Sequence, residues 1–328
     1  MTKRTIHSYS YRTLILVGLV AIFLSACGKK KNLVTSTTSP KIEFYNACIV
    51  WNGDSREEIT RSSYNDRLAA KSVALMMPNW AMSDYDHFQK RVRTENLYTV
   101  GELVNLCTHE KFANEFSYGN CTGFLVDKDI MLTAGHCFDD GVDNIHANCD
   151  KYSWVFDMDS DQKYIPESNI YGCKEVLIHS VNSTTGEDFT LFRLDRNVRG
   201  RRPLKIDYDY RPNLTTDMAI IGHPLGMKKM IAKDKGSFKL DRNDDMSFYY
   251  LLDTFPSNSG SPIFDQQTGK VIGLHVAGDR NYLTKDEKNN CMKYTNCTGT
   301  VGPDSCAPSK GILLSSIKNY IDSARSCQ

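Results

Sequence analysis

The sequence predicts an all-β protein closed by one C-terminal helix. From Asn120 onward the chain breaks into short apolar runs punctuated by Gly, Pro, Asn and Asp: Thr122 to Asp127, Ile130 to Thr133, Phe189 to Leu194, Met218 to Gly222, Phe248 to Leu252 and Val271 to Val276. Such runs between turn formers are strands. The period changes over residues 311–324, where Ile312, Leu313, Ile317, Tyr320 and Ile321 recur at three-to-four spacing, the pattern of an amphipathic helix. No internal repeat of fixed length is present, which argues against a solenoid or propeller. Between Glu57 and Met77 the pattern is mixed, and Arg67 to Met76 fits a helix or a strand.

The N-terminus begins with the basic Met1-Thr2-Lys3-Arg4, and Thr13 to Ala26 is almost wholly apolar before Cys27 and Gly28-Lys29-Lys30-Lys31. This run is shorter than the ~20 residues a helix needs to span hydrocarbon, so residues 1–26 are expected to be an export signal. Leu24-Ser25-Ala26-Cys27 resembles the lipobox of bacterial lipoproteins. The resemblance implies that Cys27 is lipidated and that the exported chain is anchored at a bacterial membrane, on the periplasmic side or the cell surface, because several acyl chains hold where one is marginal. Residues 27–45, polar and without apolar period, suit a tether. Residues 46–328 form the expected folded domain, long enough for one large core or two closely packed barrels.

The whole chain carries 40 Lys and Arg against 39 Asp and Glu; without residues 1–26, which hold Lys3, Arg4, Arg12 and no acid, the balance is 37 against 39. A near-neutral charge excludes nucleic acid as the expected partner. Ten of the eleven cysteines remain once Cys27 is set aside for lipid, and an exported chain is expected to pair them as disulfides. A metal site is not expected, because close pairs such as Cys291 and Cys297 lack CxxC or His spacing; no cofactor is expected either.

Three segments carry chemistry. The first is Cys121-Thr122-Gly123-Phe124-Leu125-Val126, followed by Ile130-Met131-Leu132-Thr133-Ala134-Gly135-His136-Cys137; the second is Glu187-Asp188-Phe189-Thr190-Leu191; the third is Asp253-Thr254-Phe255-Pro256-Ser257-Asn258-Ser259-Gly260-Ser261-Pro262. Together they resemble the trypsin and chymotrypsin superfamily of serine peptidases, with TA[AG]HC at the histidine, an acid opening a strand, and [DN]SG[GS]P at the nucleophile. The resemblance implies two packed six-stranded antiparallel β-barrels with a C-terminal α-helix, and a triad of His136, Asp188 and Ser259. The chain order His, Asp, Ser is the order that fold uses and is not that of the α/β-hydrolases. Serine hydroxyl is a poor nucleophile until a neighbouring imidazole takes its proton. Asp188 and Glu187 compete for the acid role, since only one of two successive strand residues faces the imidazole; the register of the motif favours Asp188. The amides of Ser257 and Ser259 are the implied oxyanion hole. The resemblance also pairs Cys121 with Cys137. Cys149 and Cys173 flank an expected hairpin and are expected to form a second pair. Cys48, Cys107, Cys291, Cys297, Cys306 and Cys327 allow 15 pairings.

Asn258-Ser259-Gly260-Ser261-Pro262, Gly222-His223-Pro224, Gly273-Leu274-His275 and Ile49-Val50-Trp51-Asn52-Gly53-Asp54-Ser55-Arg56 resemble a bacterial branch that includes the glutamyl endopeptidases. Thr254 and His275 match the residues lining that branch's glutamate pocket, which implies protein or peptide substrates cut after Glu or Asp. Asp253 points the other way, lying six residues before Ser259, where trypsin keeps its acid for Lys or Arg. Two positions depart from the trypsin pattern. Asn258 replaces the aspartate that pairs with a freed N-terminal amine, so activation by that ion pair is not expected. Ser257 stands where glycine is usual, and a Cβ there opposes the backbone geometry of the oxyanion hole. The alternative expectation is a catalytically impaired pseudo-peptidase lipoprotein that acts as a binding or structural module. The chain is expected to be monomeric.

Overall fold

The structure, a computed structural model, describes residues 50–51, 53–94, 97–139, 149–210, 216–234, 239–240, 246–279, 281–297 and 307–326. The expected export signal, Cys27, the tether, Cys48, Cys306 and Cys327 lie outside the described residues. No helix among the described residues is long and apolar enough to cross a membrane.

Six antiparallel strands close a barrel. In spatial order they are Tyr152–Val155, Ile170–Asn182, Glu187–Leu194, Ile130–Thr133, Cys121–Leu125 and Val73–Pro78, the last pairing back with the first. Full closure leaves no unpaired edge. Its interior is aromatic: Trp154 lies 4.7 Å from Phe192, centroid to centroid, and Phe138 lies 5.0 Å from Phe192. All three rings are fully buried. Gly123 makes room for this cluster, because a Cβ there would stand 2.6 Å from Trp154 Cζ3. Disulfides Cys121–Cys137 and Cys149–Cys173 both lie on this half.

The segment of mixed pattern divides in two. Ser63 caps the helix Tyr64–Ala70, its hydroxyl accepting from Asp66 N–H while the Asp66 carboxylate accepts from Ser63 N–H, each at 3.2 Å. That reciprocal box satisfies two otherwise orphaned donors and sets the helix start. Val73–Pro78 then becomes a fully buried strand between two barrel neighbours. A strand covered on both faces shows no alternation, and this is why Arg67 to Met76 reads ambiguously.

The second half is an eight-stranded antiparallel sheet in the order Lys239–Leu240, Ser247–Tyr250, Ser309–Leu313, Val271–Ala277, Pro262–Asp265, Met218–Gly222, Met230–Asp234, Glu57–Glu58. The expected second six-stranded barrel is thus found as a larger sheet whose outer strands do not pair with each other among the described residues. Phe248, Tyr250, Leu252 and Ile263 fill one side of it. The expected helix over 311–324 is corrected. Ile312 and Leu313 belong to the strand Ser309–Leu313, and the helix spans Lys318–Ser326. Ile312 faces Leu274 on one neighbour and Ser247 on the other. Only those two partners distinguish a buried strand from the apolar start of a helix. The helix itself buries Ile321 and Ala324, and Arg325 Nη2 donates to Val126 O at 2.8 Å across to the barrel half.

Candidate active site

His136 sits on a short 3-10 turn, Gly135–Cys137, directly after the barrel strand Ile130–Thr133. The turn is held at both ends: Cys137 is bonded to Cys121, and Gly135 packs against the neighbouring strands so closely that a Cβ would meet Val181 Cγ2, Ser180 O and Phe189 N at 2.6 to 2.8 Å. That close approach brings His136 beside the start of Glu187–Leu194. Asp188 Oδ1 accepts from His136 N–H at 2.8 Å, and Oδ2 lies 2.8 Å from His136 Nδ1. A carboxylate only accepts, so Nδ1 carries the proton and Nε2 is left as an acceptor. Nε2 lies 2.8 Å from Ser259 Oγ. The structure therefore brings His136, Asp188 and Ser259 together in one hydrogen-bonded line. Glu187 faces the other way, accepting from Ser180 Oγ at 2.8 Å and Tyr320 O–H at 3.1 Å.

The electrostatics of the line follow from burial and charge. Burial by itself pushes the Asp188 carboxyl up, but the charge of His136 and hydrogen bonds from His136 and Gly135 hold it below the ordinary carboxylate value. Burial by itself pulls the His136 imidazole down; the charge and hydrogen bond of Asp188, with Asp139 beyond, outweigh it and raise the pKa above 6.5. A base must be neutral to accept a proton. Peptide hydrolysis is accordingly expected to rise with pH through an acid-limb midpoint above 6.5, as read from kcat/KM between pH 5 and 9. A midpoint below 6.5 would contradict the Asp188 contact.

Ser259 is carried on a turn that opens the Pro262–Asp265 strand. Gly260 has φ +88, and a Cβ on it would run into Thr122 O and Thr133 Oγ1. Glycine is therefore needed directly after Ser259. In front of it, Asn258 N–H donates to Phe255 O at 3.0 Å, Pro256 precedes Ser257, and Ser257 has φ +73. Pro at the second place and a positive φ at the third are what a type II turn requires. The expected obstacle at Ser257 is thus met by strain: the residue takes the left-handed conformation in spite of its Cβ, at a cost of about 1–2 kcal/mol. Thr122 Oγ1 donates to Ser257 O and Thr122 N–H to Ser259 O, at 2.9 and 2.8 Å. With the carbonyls engaged, the N–H groups of Ser257 and Ser259 donate to no acceptor among the described residues.

A cleft of about 250 Å³ opens at this point, lined by Asn120, Cys121, His136, Phe255, Pro256, Ser257, Ser259, His275, Ala277 and Gly278. His275 lies on the Val271–Ala277 strand, with Nδ1 2.5 Å from the buried Tyr250 hydroxyl. Burial and the charge of His136 pull its pKa down to about 3, so the ring is neutral at neutral pH. Asp253 does not line the cleft. It is 2 % exposed; Oδ1 accepts from Trp51 N–H and Oδ2 from Ser55 N–H and Oγ–H, each at 2.6 Å. The expected acid of a Lys or Arg pocket is therefore an internal tie. Thr254 is buried as well, its hydroxyl 2.7 Å from that of Ser309. Tyr250, which contacts His275 from elsewhere in the chain, carries no local sequence signal. Cys107 pairs with Cys291, a choice sequence left open. The sulfurs of Cys121 and Cys137, though close to His136, are used in their disulfide and offer no thiolate to a metal.

A closed β-barrel beside an antiparallel sheet, with Ser, His and Asp hydrogen-bonded in line, is the arrangement of the trypsin/chymotrypsin-like serine peptidases. Residues 121–274 match the family described as trypsin-like peptidase domain. Glutamyl endopeptidase of Bacillus licheniformis is 22% identical over 231 residues, covering 63% of this chain; the chain spans 66% of that protein's length. Two solved structures are similar in shape. A Glu endopeptidase in complex with MPD has TM-score 0.48 and 19% identity, over 85% of this chain and 100% of its own; a scabies mite inactivated protease paralogue has TM-score 0.46 and 13% identity, over 80% and 96%. Residues 121–274 are thus similar to a trypsin-like peptidase domain, and the chain is similar to the glutamyl endopeptidases.

Proposed function

We propose that this chain is an active serine endopeptidase that cuts peptide bonds through an acyl-enzyme on Ser259. The observation that carries the reading is the pair of 2.8 Å contacts that set His136 between Asp188 and Ser259. Ser259 Oγ attacks the substrate carbonyl carbon while its proton passes to His136 Nε2, and the N–H groups of Ser257 and Ser259 hold the oxyanion. Collapse breaks the C–N bond, the imidazolium gives its proton to the leaving amine, and the acyl group remains on Oγ as an ester. Water then repeats the sequence and frees the carboxylate product. Asp188 stays ionised throughout and stabilises the imidazolium. The pseudo-peptidase reading rests on Ser257 alone, and the positive φ of that residue speaks against it.

Cleavage after Glu or Asp is the proposed preference. Neutral His275 lines the cleft and keeps Nε2 available to a substrate carboxylate, while Tyr250 occupies Nδ1. Asp253, with both oxygens engaged, is withdrawn as a partner for Lys or Arg. A cleavage profile over a peptide library tests both parts. Cuts after Glu or Asp that vanish with Ser259→Ala and lose their preference with His275→Gln are expected. A dominant cut after Lys or Arg would overturn the specificity reading. Export and anchoring through lipidated Cys27 are proposed from the Leu24-Ser25-Ala26-Cys27 motif; palmitate labelling of cells should be lost with Cys27→Ser.

A further inference from the structure

The turn that presents the oxyanion donors is strained at Ser257, and a strained turn persists only where its surroundings over-determine it. Asn258, the residue before Ser259, is uncharged and offers no ion pair for that support. A different support is present. Trp51, Ser55 and Arg56 grip the turn from outside the cleft at two places. Trp51 N–H, Ser55 N–H and Ser55 Oγ–H all donate to Asp253, at 2.6 Å each, two residues before Phe255. The Arg56 guanidinium then lies over the Phe255 ring, 3.7 Å from Cζ to centroid, with Tyr294 at 4.5 Å on the same cation. Arg56 is itself held by Asp54, whose oxygens accept from Nε at 2.9 Å and Nη2 at 2.7 Å. Arg56 is 1 % exposed and Phe255 fully buried, so neither side chain has freedom to swing away. Phe255 O is in turn the acceptor that closes the turn onto Asn258 N–H.

We propose that Trp51, Ser55 and Arg56 form a positioning clamp, acting through Asp253 and Phe255 to hold Ser257 in its positive-φ conformation and so keep its N–H directed into the oxyanion hole. The clamp stands in for the ion pair that Asn258 cannot make, and it uses backbone and side-chain donors within the chain, with no need for a freed α-amine. Asp253, Ser55 and Arg56 are positioning residues; none touches the reacting atoms. This inference rests on the peptidase reading for its catalytic consequence, but its structural consequence is independent of that reading.

The test separates the two. In Asp253→Asn, an amide NH₂ replaces one carboxylate oxygen and faces a donor. Peptide-bond turnover is expected to fall about 30-fold with KM within twofold, between no effect and the ~100-fold to ~1000-fold loss of a whole oxyanion donor. Ser55→Ala, which removes a single hydroxyl donor and leaves the fold intact, should lower kcat three- to tenfold. Adding Ser257→Gly to either variant should restore most of the rate, because glycine takes a positive φ without support. Because glycine also relieves the strain at position 257, the thermal midpoint of each variant is measured beside kcat, and a rate loss that follows a lowered midpoint without faster local exchange would overturn the clamp. Amide hydrogen exchange over residues 255–260 should quicken at least tenfold in Asp253→Asn and less in Ser55→Ala. Unchanged exchange in both variants, or a lowered kcat that Ser257→Gly fails to restore, would overturn the clamp. Failure of a phosphonate probe to label Ser259 in the wild-type protein would sink the peptidase reading instead, and the exchange measurement would still decide the clamp.

Discussion

Ser259→Ala is expected to abolish peptide hydrolysis, with kcat lower by about 10⁶-fold and KM little changed. Loss of the nucleophile in a serine triad removes nearly all that the triad contributes, because its members act as one unit. The effect should therefore not grow when His136→Ala is added. What remains is the binding of substrate and the two oxyanion donors, worth ~10³-fold over water. The measurement is single-turnover cleavage of a peptide, paired with a phosphonate probe that forms its bond on Ser259 Oγ. Wild-type protein should take up one equivalent and Ser259→Ala none. A Ser259→Ala protein that still cuts at more than a hundredth of the wild-type rate would mean that the nucleophile lies elsewhere.

Asp188→Asn should lower kcat by about 10⁴-fold at neutral pH while leaving the fold intact. Asp188 uses both oxygens on His136, one on the backbone N–H and one on Nδ1. An asparagine can keep only one acceptor, and its amide then favours the tautomer in which Nε2 carries the proton. That tautomer cannot accept the Ser259 proton. The rate should recover partly at high pH, where hydroxide assists deprotonation. Glu187→Gln is the matched control. Its carboxylate contacts Ser180 and Tyr320 rather than the imidazole, so its effect on kcat should stay below twofold. A comparable loss from both changes would show that a nearby negative charge, and not a placed hydrogen bond, is what His136 needs.

The two acids show where local reading stops. Glu187 and Asp188 differ by one step along a strand, and successive residues point to opposite faces. The apolar phase of Phe189, Leu191 and Arg193 does not decide between them, because Phe189 to Leu194 is buried on both faces. The face is decided by Gly135, whose missing side chain lets the His136 turn settle against Ser180, Val181 and Phe189. The same limit explains Ile312 and Leu313. Two adjacent apolar residues satisfy a helical period as readily as a doubly covered strand, and the hydrogen bonds that choose the strand come from Ser247–Tyr250 and Val271–Ala277, far away in sequence. Asp253 is the sharpest case. Its distance from Ser259 along the chain suggested a pocket acid, yet about 200 residues separate it from Trp51 and Ser55, the partners that turn it inward.

By itself the sequence determined the strand-rich class, the three motifs that carry His136, Asp188 and Ser259, and the disulfides Cys121–Cys137 and Cys149–Cys173. The strand class is read from apolar runs between turn formers and Cys149–Cys173 from the expected hairpin, whereas the triad and Cys121–Cys137 are what the resemblance of three short contiguous motifs implies. Tertiary structure alone decided which way Glu187, Asp253 and Thr254 face, how Cys107 is paired, and that Ser257 can hold a positive φ. Those depend on groups brought together from distant parts of the chain, where burial and hydrogen-bond satisfaction leave one arrangement and the local sequence permits several.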